Sequence, residues 1–176
     1  MASKVVVFLL ILGFTSFCFA AQNKIKLGPE NVIDGWAAYP QAGNLGPAQN
    51  LLDEQVIAGD PANGSGGKPK TEYFPGWTKW YYPNAFALID LGQMYRLSSI
   101  WAFHGYGSYN IEFSVGVHPF QWAETFNDSV HGTYQWDSNN ITTSTPVQWI
   151  KVRLIEPPKI LEIVVYGEPV EKICHE

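Results

Sequence analysis

The residue types that most often do chemistry are few in this chain, and they are not spaced for catalysis. The four histidines, His104, His118, His131 and His175, have no mutual spacing that would set two of them on one metal. No His-Glu-x-x-His pair, Cys-x-x-Cys pair, nucleophile elbow, phosphate-cradling glycine loop or dinucleotide fingerprint occurs. Carboxylate pairs can be picked from any acidic chain, and none stands out. Aromatic residues are what is abundant: Trp, Tyr and Phe make up 15% of the chain. Tyr73, Phe74, Trp77, Trp80, Tyr81 and Tyr82 are crowded together, and the run Phe103-His104-Gly105-Tyr106-Gly107-Ser108 sets a histidine and a tyrosine among glycines. Aromatic faces packed on C–H-rich ligand surfaces, with a few polar groups to pair with hydroxyls, are the chemistry of binding. The expectation is therefore a binding protein and not an enzyme.

The elements that must position these residues start after the N-terminus. Met1–Lys4 is a short basic start, Val5–Phe14 is apolar, and Cys18 and Ala20 offer a small-x-small cleavage site before Ala21. That is the layout of a secretory signal peptide over residues 1–20. Even extended to Ala20, the apolar stretch is about 16 residues, short of the roughly 20 that span a bilayer; an uncleaved anchor is the alternative. The expected product is secreted and extracellular. It has 10 basic and 16 acidic residues once Lys4 is removed. That sign argues against nucleic acid or an anionic membrane surface as the main partner. Cys18 leaves with the signal, so only Cys174 remains, which either pairs with another chain, as in a disulfide-linked homodimer, or stays a free thiol. Three glycosylation triplets begin at Asn63, Asn127 and Asn140 and are expected on surface loops.

Short alternating runs separated by turn residues read as an all-β sandwich. Tyr109–Val115 has apolar residues at odd positions and polar ones at even positions. Val147–Ile155 sets Ile150, Val152 and Leu154 opposite Lys151 and Arg153, and Ala87–Leu91, Leu97–Phe103 and Ile160–Tyr166 are further strands. Gly59 to Tyr82 opens with a nearly apolar-free stretch rich in glycine and proline. A loop of that length is either functional or organised by a ligand. One domain is expected over residues 21–167, with a loosely held polar tail over 168–176.

FALIDLGQMYRLSSIWAFHG, YNIEFSVG and WIKVRLIEPPKILEIVVYG together resemble discoidin-like domains. That group includes the C domains of coagulation factors V and VIII and many galactose-binding-like carbohydrate-binding modules. The resemblance covers roughly residues 45–167 and rests on Ile89–Gly92, Leu97–Phe103, Trp149–Leu154 and Glu162–Gly167 in that order. It implies an eight-stranded jelly-roll β-sandwich. The chain departs from the pattern early. The family's Leu-x-Asp-Gly reads Leu51-Leu52-Asp53-Glu54-Gln55 here, and the following threonine and tryptophan are delayed by the glycine-rich loop.

The resemblance implies a structural Ca²⁺ joining the early loop to the last strand. Asp53 and Glu162 match its carboxylates, and Asp60 and Thr71 are placed to complete an oxygen shell. It also implies sugar binding on loops at one end of the sandwich, through His104, Tyr106, Trp80 and Trp77, although the family's tryptophan at the place of Trp77 packs inside. Trp101 and Trp149 alternate with core positions and are expected to be structural. Arg153 matches an arginine on the family's late strand and is expected to be solvated. The function expected is a calcium-stabilised, lectin-like domain recognising cell-surface or matrix glycans. One rival is an adhesive or matrix subunit binding protein and linked through Cys174. The other is a lipid-binding module, which the acidic balance opposes.

Overall fold

The computed structural model describes residues 22–36, 48–69, 85–105, 107–132, 134–155 and 160–170. The expectations placed on the signal segment and on Thr71, Trp77, Trp80, Tyr106 and Cys174 lie outside those residues. The described strands are β1 (Val32–Trp36), β2 (Gly59–Asp60), β3 (Ser65–Gly66), β4 (Ala85–His104), β5 (Gly107–Gly116), β6 (Glu124–Gly132), β7 (Gln135–Asn139), β8 (Val147–Leu154) and β9 (Ile160–Pro169). The one α-helix among them, α1 (Gln55–Ala58), is a single turn. The fold is the antiparallel β-sandwich that the alternating runs implied, in keeping with the jelly roll that the resemblance implied.

Two strands expected to be separate are one. β4 runs unbroken for 20 residues. Its first half pairs antiparallel with β1 and β8, and its second half with β7 and β9. The changeover falls just after Asp90-Leu91-Gly92. Gly92 has φ +79°, which a side chain strains to reach. The Asp90 carboxylate accepts the Gly92 N–H at 2.8 Å and the Gln148 side-chain amide at 3.0 Å. The pairing register with β8 then slips between Asp90 and Tyr95. The motif read from sequence as a strand end is a bend inside a strand.

Alternation explains the core. Ile89, Ile100, Ile111, Phe113, Ile150, Val152, Ile163 and Val165 are all fully buried in one cluster. Removing each such side chain from water contributes about 1.5–3 kcal/mol. The other face of β9 is also covered: Val164 and Tyr166 pack with Ala58 and with the half-buried Ala62, Trp101 and Trp136. A strand buried on both faces reads as a continuous apolar run, as Ile163 to Tyr166 does. Trp101 and Trp149 are half-buried.

Residues 168–170, placed in the tail by the sequence, are held by the sheet. β9 continues to Pro169, with Glu168 opposite Arg96, and the Val170 N–H donates to the Met94 carbonyl at 2.9 Å. The chain just before the sandwich is tied down as well: Lys24 bridges to Tyr166, and the Ile25 N–H donates to Val165.

Candidate functional site

Residues opposite one another on paired strands share a face. Phe103 is opposite Trp136, Ala102 opposite Asp137, and His104 opposite Gln135. His104 therefore follows Ile100 and Ala102 on the core face, and its neighbour on that face is Asp137. The exposed histidine expected from its flanking glycines is not what the fold makes. His104 is 0% exposed. Its Nε2 stands 2.6 Å from Asp137 Oδ2, and its Nδ1 lies 3.2 Å from the Gly105 carbonyl oxygen. An imidazole closed off in this way cannot present itself to a glycan, so it is placed to hold the Asp137 carboxylate.

Asp137 is 30% exposed, and its other oxygen accepts from Gln135 Nε2 at 3.2 Å. Tyr134 stands in the turn before β7, 45% exposed, with φ 45°. A bulky residue in the left-handed region costs of order 1–3 kcal/mol and occurs most often where function uses it. The Lys68 ammonium lies 5.4 Å from its ring centroid. Trp136 Nε1 donates to the Gly67 carbonyl at 2.7 Å and fixes the loop that carries Lys68. Gly67 is required here because a Cβ would collide with the Ile57 carbonyl oxygen. An exposed aromatic ring and a cation thus meet at the turn before β7, and the braced Asp137 carboxylate lies on the opposite face of β7 from Trp136. Tyr134, Lys68 and Asp137 were not singled out from sequence. The signal that could have found them is the alternation Trp136/Asp137 after a turn.

The acidic residues expected to hold calcium occupy the neighbouring face of β9. Glu162 lies on the side of Val164 and Tyr166 and is 0% exposed. Its Oε1 accepts from Gln55 Nε2 at 2.6 Å and its Oε2 from the Glu54 N–H at 3.2 Å. Burial pushes its carboxyl up to about 9, against the pull of those two hydrogen bonds. Asp60 accepts from Tyr166 Oη at 2.6 Å and from Asn63 Nδ2 at 2.8 Å. Burial works against its charge, but those hydrogen bonds and Lys24 hold it below the usual range. Asp53 is exposed at the turn before α1. Partial desolvation and then the Glu54 charge raise it to about 6.

Thr71, the fourth residue expected at a calcium site, lies outside the described residues. No group of three or more His, Cys, Asp or Glu side chains among the described residues is placed to hold a metal. A cation of the chain's own already stands in this loop: Lys24 Nζ donates to Gln55 O at 2.9 Å and to Gly59 O at 2.6 Å. Burial lowers the pKa of the same ammonium, against the pull of the Asp60 charge beside it. Lys24 links the early loop to β9, the task the resemblance gave to calcium.

The triplet asparagines Asn63, Asn127 and Asn140 are all exposed. Arg153 is paired, its Nη1 3.5 Å from Glu112 Oε2 on the facing strand. No helix among the described residues is long and apolar enough to cross a membrane.

No family model and no curated protein matches the sequence. Solved structures do. The C-terminal domain of a chitobiase from Bacteroides fragilis is 16% identical, with a TM-score of 0.55 over 85% of this chain and 100% of that one. Truncated AlyQ with CBM32 and alginate lyase domains is 16% identical, with a TM-score of 0.52 over 84% of this chain and 34% of that one. An f-lectin (fucolectin) from striped bass (Morone saxatilis) serum is 17% identical, with a TM-score of 0.48 over 77% and 46%. At these identities the first two establish the fold.

Proposed function

We propose that this chain is a secreted glycan-binding domain that carries out no reaction itself. The observation that supports it is an exposed Tyr134 ring with the Lys68 ammonium over it, in the turn that leads into the strand carrying Asp137, whose carboxylate is braced by buried His104. A ring to stack on a sugar face, with a cationic donor beside it that can pair with hydroxyls, is chemistry a lectin site uses. One of the two folds matched above, that of truncated AlyQ, includes CBM32. The secretory layout of residues 1–20 and the glycosylation triplets support an extracellular setting. Tyr106, Trp77 and Trp80 remain proposed contacts on the sequence argument alone.

A glycan array on the mature protein tests the reading. Tyr134→Ala and Asp137→Ala, titrated calorimetrically with the best array hit, should each lose about 1 kcal/mol or more of binding. Tyr134→Ala should leave the melting temperature nearly unchanged, because the ring is exposed and the backbone conformation is kept. Wild-type affinity in both variants would move the binding face elsewhere.

A further inference from the structure

β6 and β7 follow one another in the chain but join different strands: β6 lies beside β5, and β7 beside β4. The edge of the sandwich opens between them into a cavity of about 190 Å³. It is lined by Phe126, Asn127 and Asp128 on one side and by residues 138–141 on the other. Sites for drug-sized ligands usually run to roughly 300–1,000 Å³, so this one suits a single ring.

Register shows which groups face inward. Phe126 is opposite Phe113 and Asp128 opposite Ile111, both core residues, so this edge strand turns a carboxylate towards the interior. Asn139 is opposite Ile100, also a core residue, and is 6% exposed. Neither its amide nitrogen nor its oxygen has a hydrogen-bond partner among the described residues. A buried carboxamide wants donors and acceptors together, and two adjacent hydroxyls supply both. Phe126 and Ile141 add apolar surface for a ring face. Asp128 disfavours an anion, and no described metal-ligand cluster lies there. The chemistry left is that of a neutral polyol.

Two glycosylation triplets put their asparagines at this same pocket. Asn127 is exposed on the outer side of β6. Asn140 is thrown outward by a tight turn in which the Ile141 N–H donates to the Asn139 carbonyl at 2.9 Å. We propose that the β6–β7 pocket holds one neutral pyranose ring, either the first sugar of a glycan attached at Asn127 or Asn140 or a ring of a free glycan. The site is separate from Tyr134 and does not depend on that reading.

The test is amide NMR on ¹⁵N-labelled protein. Unglycosylated protein is titrated with N-acetylglucosamine and with methyl β-galactoside. Saturable shifts at residues 126–128 and 138–141, in the millimolar range, are expected. Asn139→Leu should weaken them at least about tenfold, and Asp128→Ala serves the same purpose should that variant not fold. In protein from a glycosylating host, the same amides should differ from those of the unglycosylated form. Reversion in Asn127→Gln or Asn140→Gln identifies the attached sugar as occupant. Continued response to free sugar in the glycosylated protein identifies a free ring instead. Shifts confined to residues 134–137 would overturn this pocket while supporting the end site. No response of residues 126–128 and 138–141 to either source would overturn it outright.

Discussion

The Nε2 of His104 and the Oδ2 of Asp137 stand 2.6 Å apart, one residue wholly buried and the other at the surface. The imidazole thereby turns core packing into the position of a surface carboxylate. His104→Leu keeps the bulk and removes the hydrogen bond, so it should cost about 1–3 kcal/mol. For a domain of this size that is about 2–4 °C in Tm per kcal/mol. Glycan affinity should fall with it, because Asp137 loses its brace. Thermal melts with calorimetric titration check both, and an unchanged Tm would show the pair to be idle.

Lys24 bridges the carbonyls of Gln55 and Gly59 next to Asp60 and Glu162. Lys24→Met should destabilise by about 2 kcal/mol, the scale of hydrogen bonds from a charged donor at a half-exposed site. The wild type should melt at the same temperature with chelator or with calcium. A ligand at about 100-fold excess over its Kd adds roughly 2.7 kcal/mol, so a bound ion could not be missed. A clear rise in Tm with calcium would restore the metal.

Glu162 gives the protein a pH dependence. Its carboxyl is raised from 4.5 to about 9 by burial. Between those values the folded state holds a proton that the unfolded chain has released, so stability falls as pH rises from about 4.5 through about 9. Asp53, raised from 3.8 to about 6, acts in the same direction over a lower window. Melts between about pH 5 and pH 9 should show the decline, and Glu162→Gln should flatten it. Each pH step of one within that window removes at most about 1.4 kcal/mol. A flat wild-type profile over this range contradicts a buried, proton-holding Glu162.

Gly92 has open space around it, so Gly92→Ala meets no clash and isolates the backbone cost. At φ +79° that cost should be about 1–2 kcal/mol, read from denaturant midpoints.

The strands were legible because an alternation of apolar and polar residues is written directly into runs such as Tyr109–Val115. Ile89-Asp90-Leu91-Gly92 was legible as punctuation, but not that the strand continues beyond it. That depends on Asp90 holding the bend through Gln148, far along the chain. His104 was misread because flanking glycines were taken to mean exposure, while Ile100 and Ala102 already put it on the inner face. The contact that Lys24 makes with the early loop was not legible. Its distance in sequence from Gln55 and Gly59 hides a contact that only the pairing of the chain's start with β9 creates. The Tyr134 end site was missed because it depends on a φ value and on a cation from another loop.

β4, threaded through both halves of the sandwich, also governs how the molecule comes apart. Neither half can separate without tearing the same 20-residue segment from its partners. The domain should therefore open as one cooperative unit, with the slowest amide hydrogen exchange at positions such as Ala87, Ile89, Ile100 and Ala102 on either side of the Gly92 bend. The short β2–β3 hairpin, paired only with itself, should exchange at rates set by its own local opening.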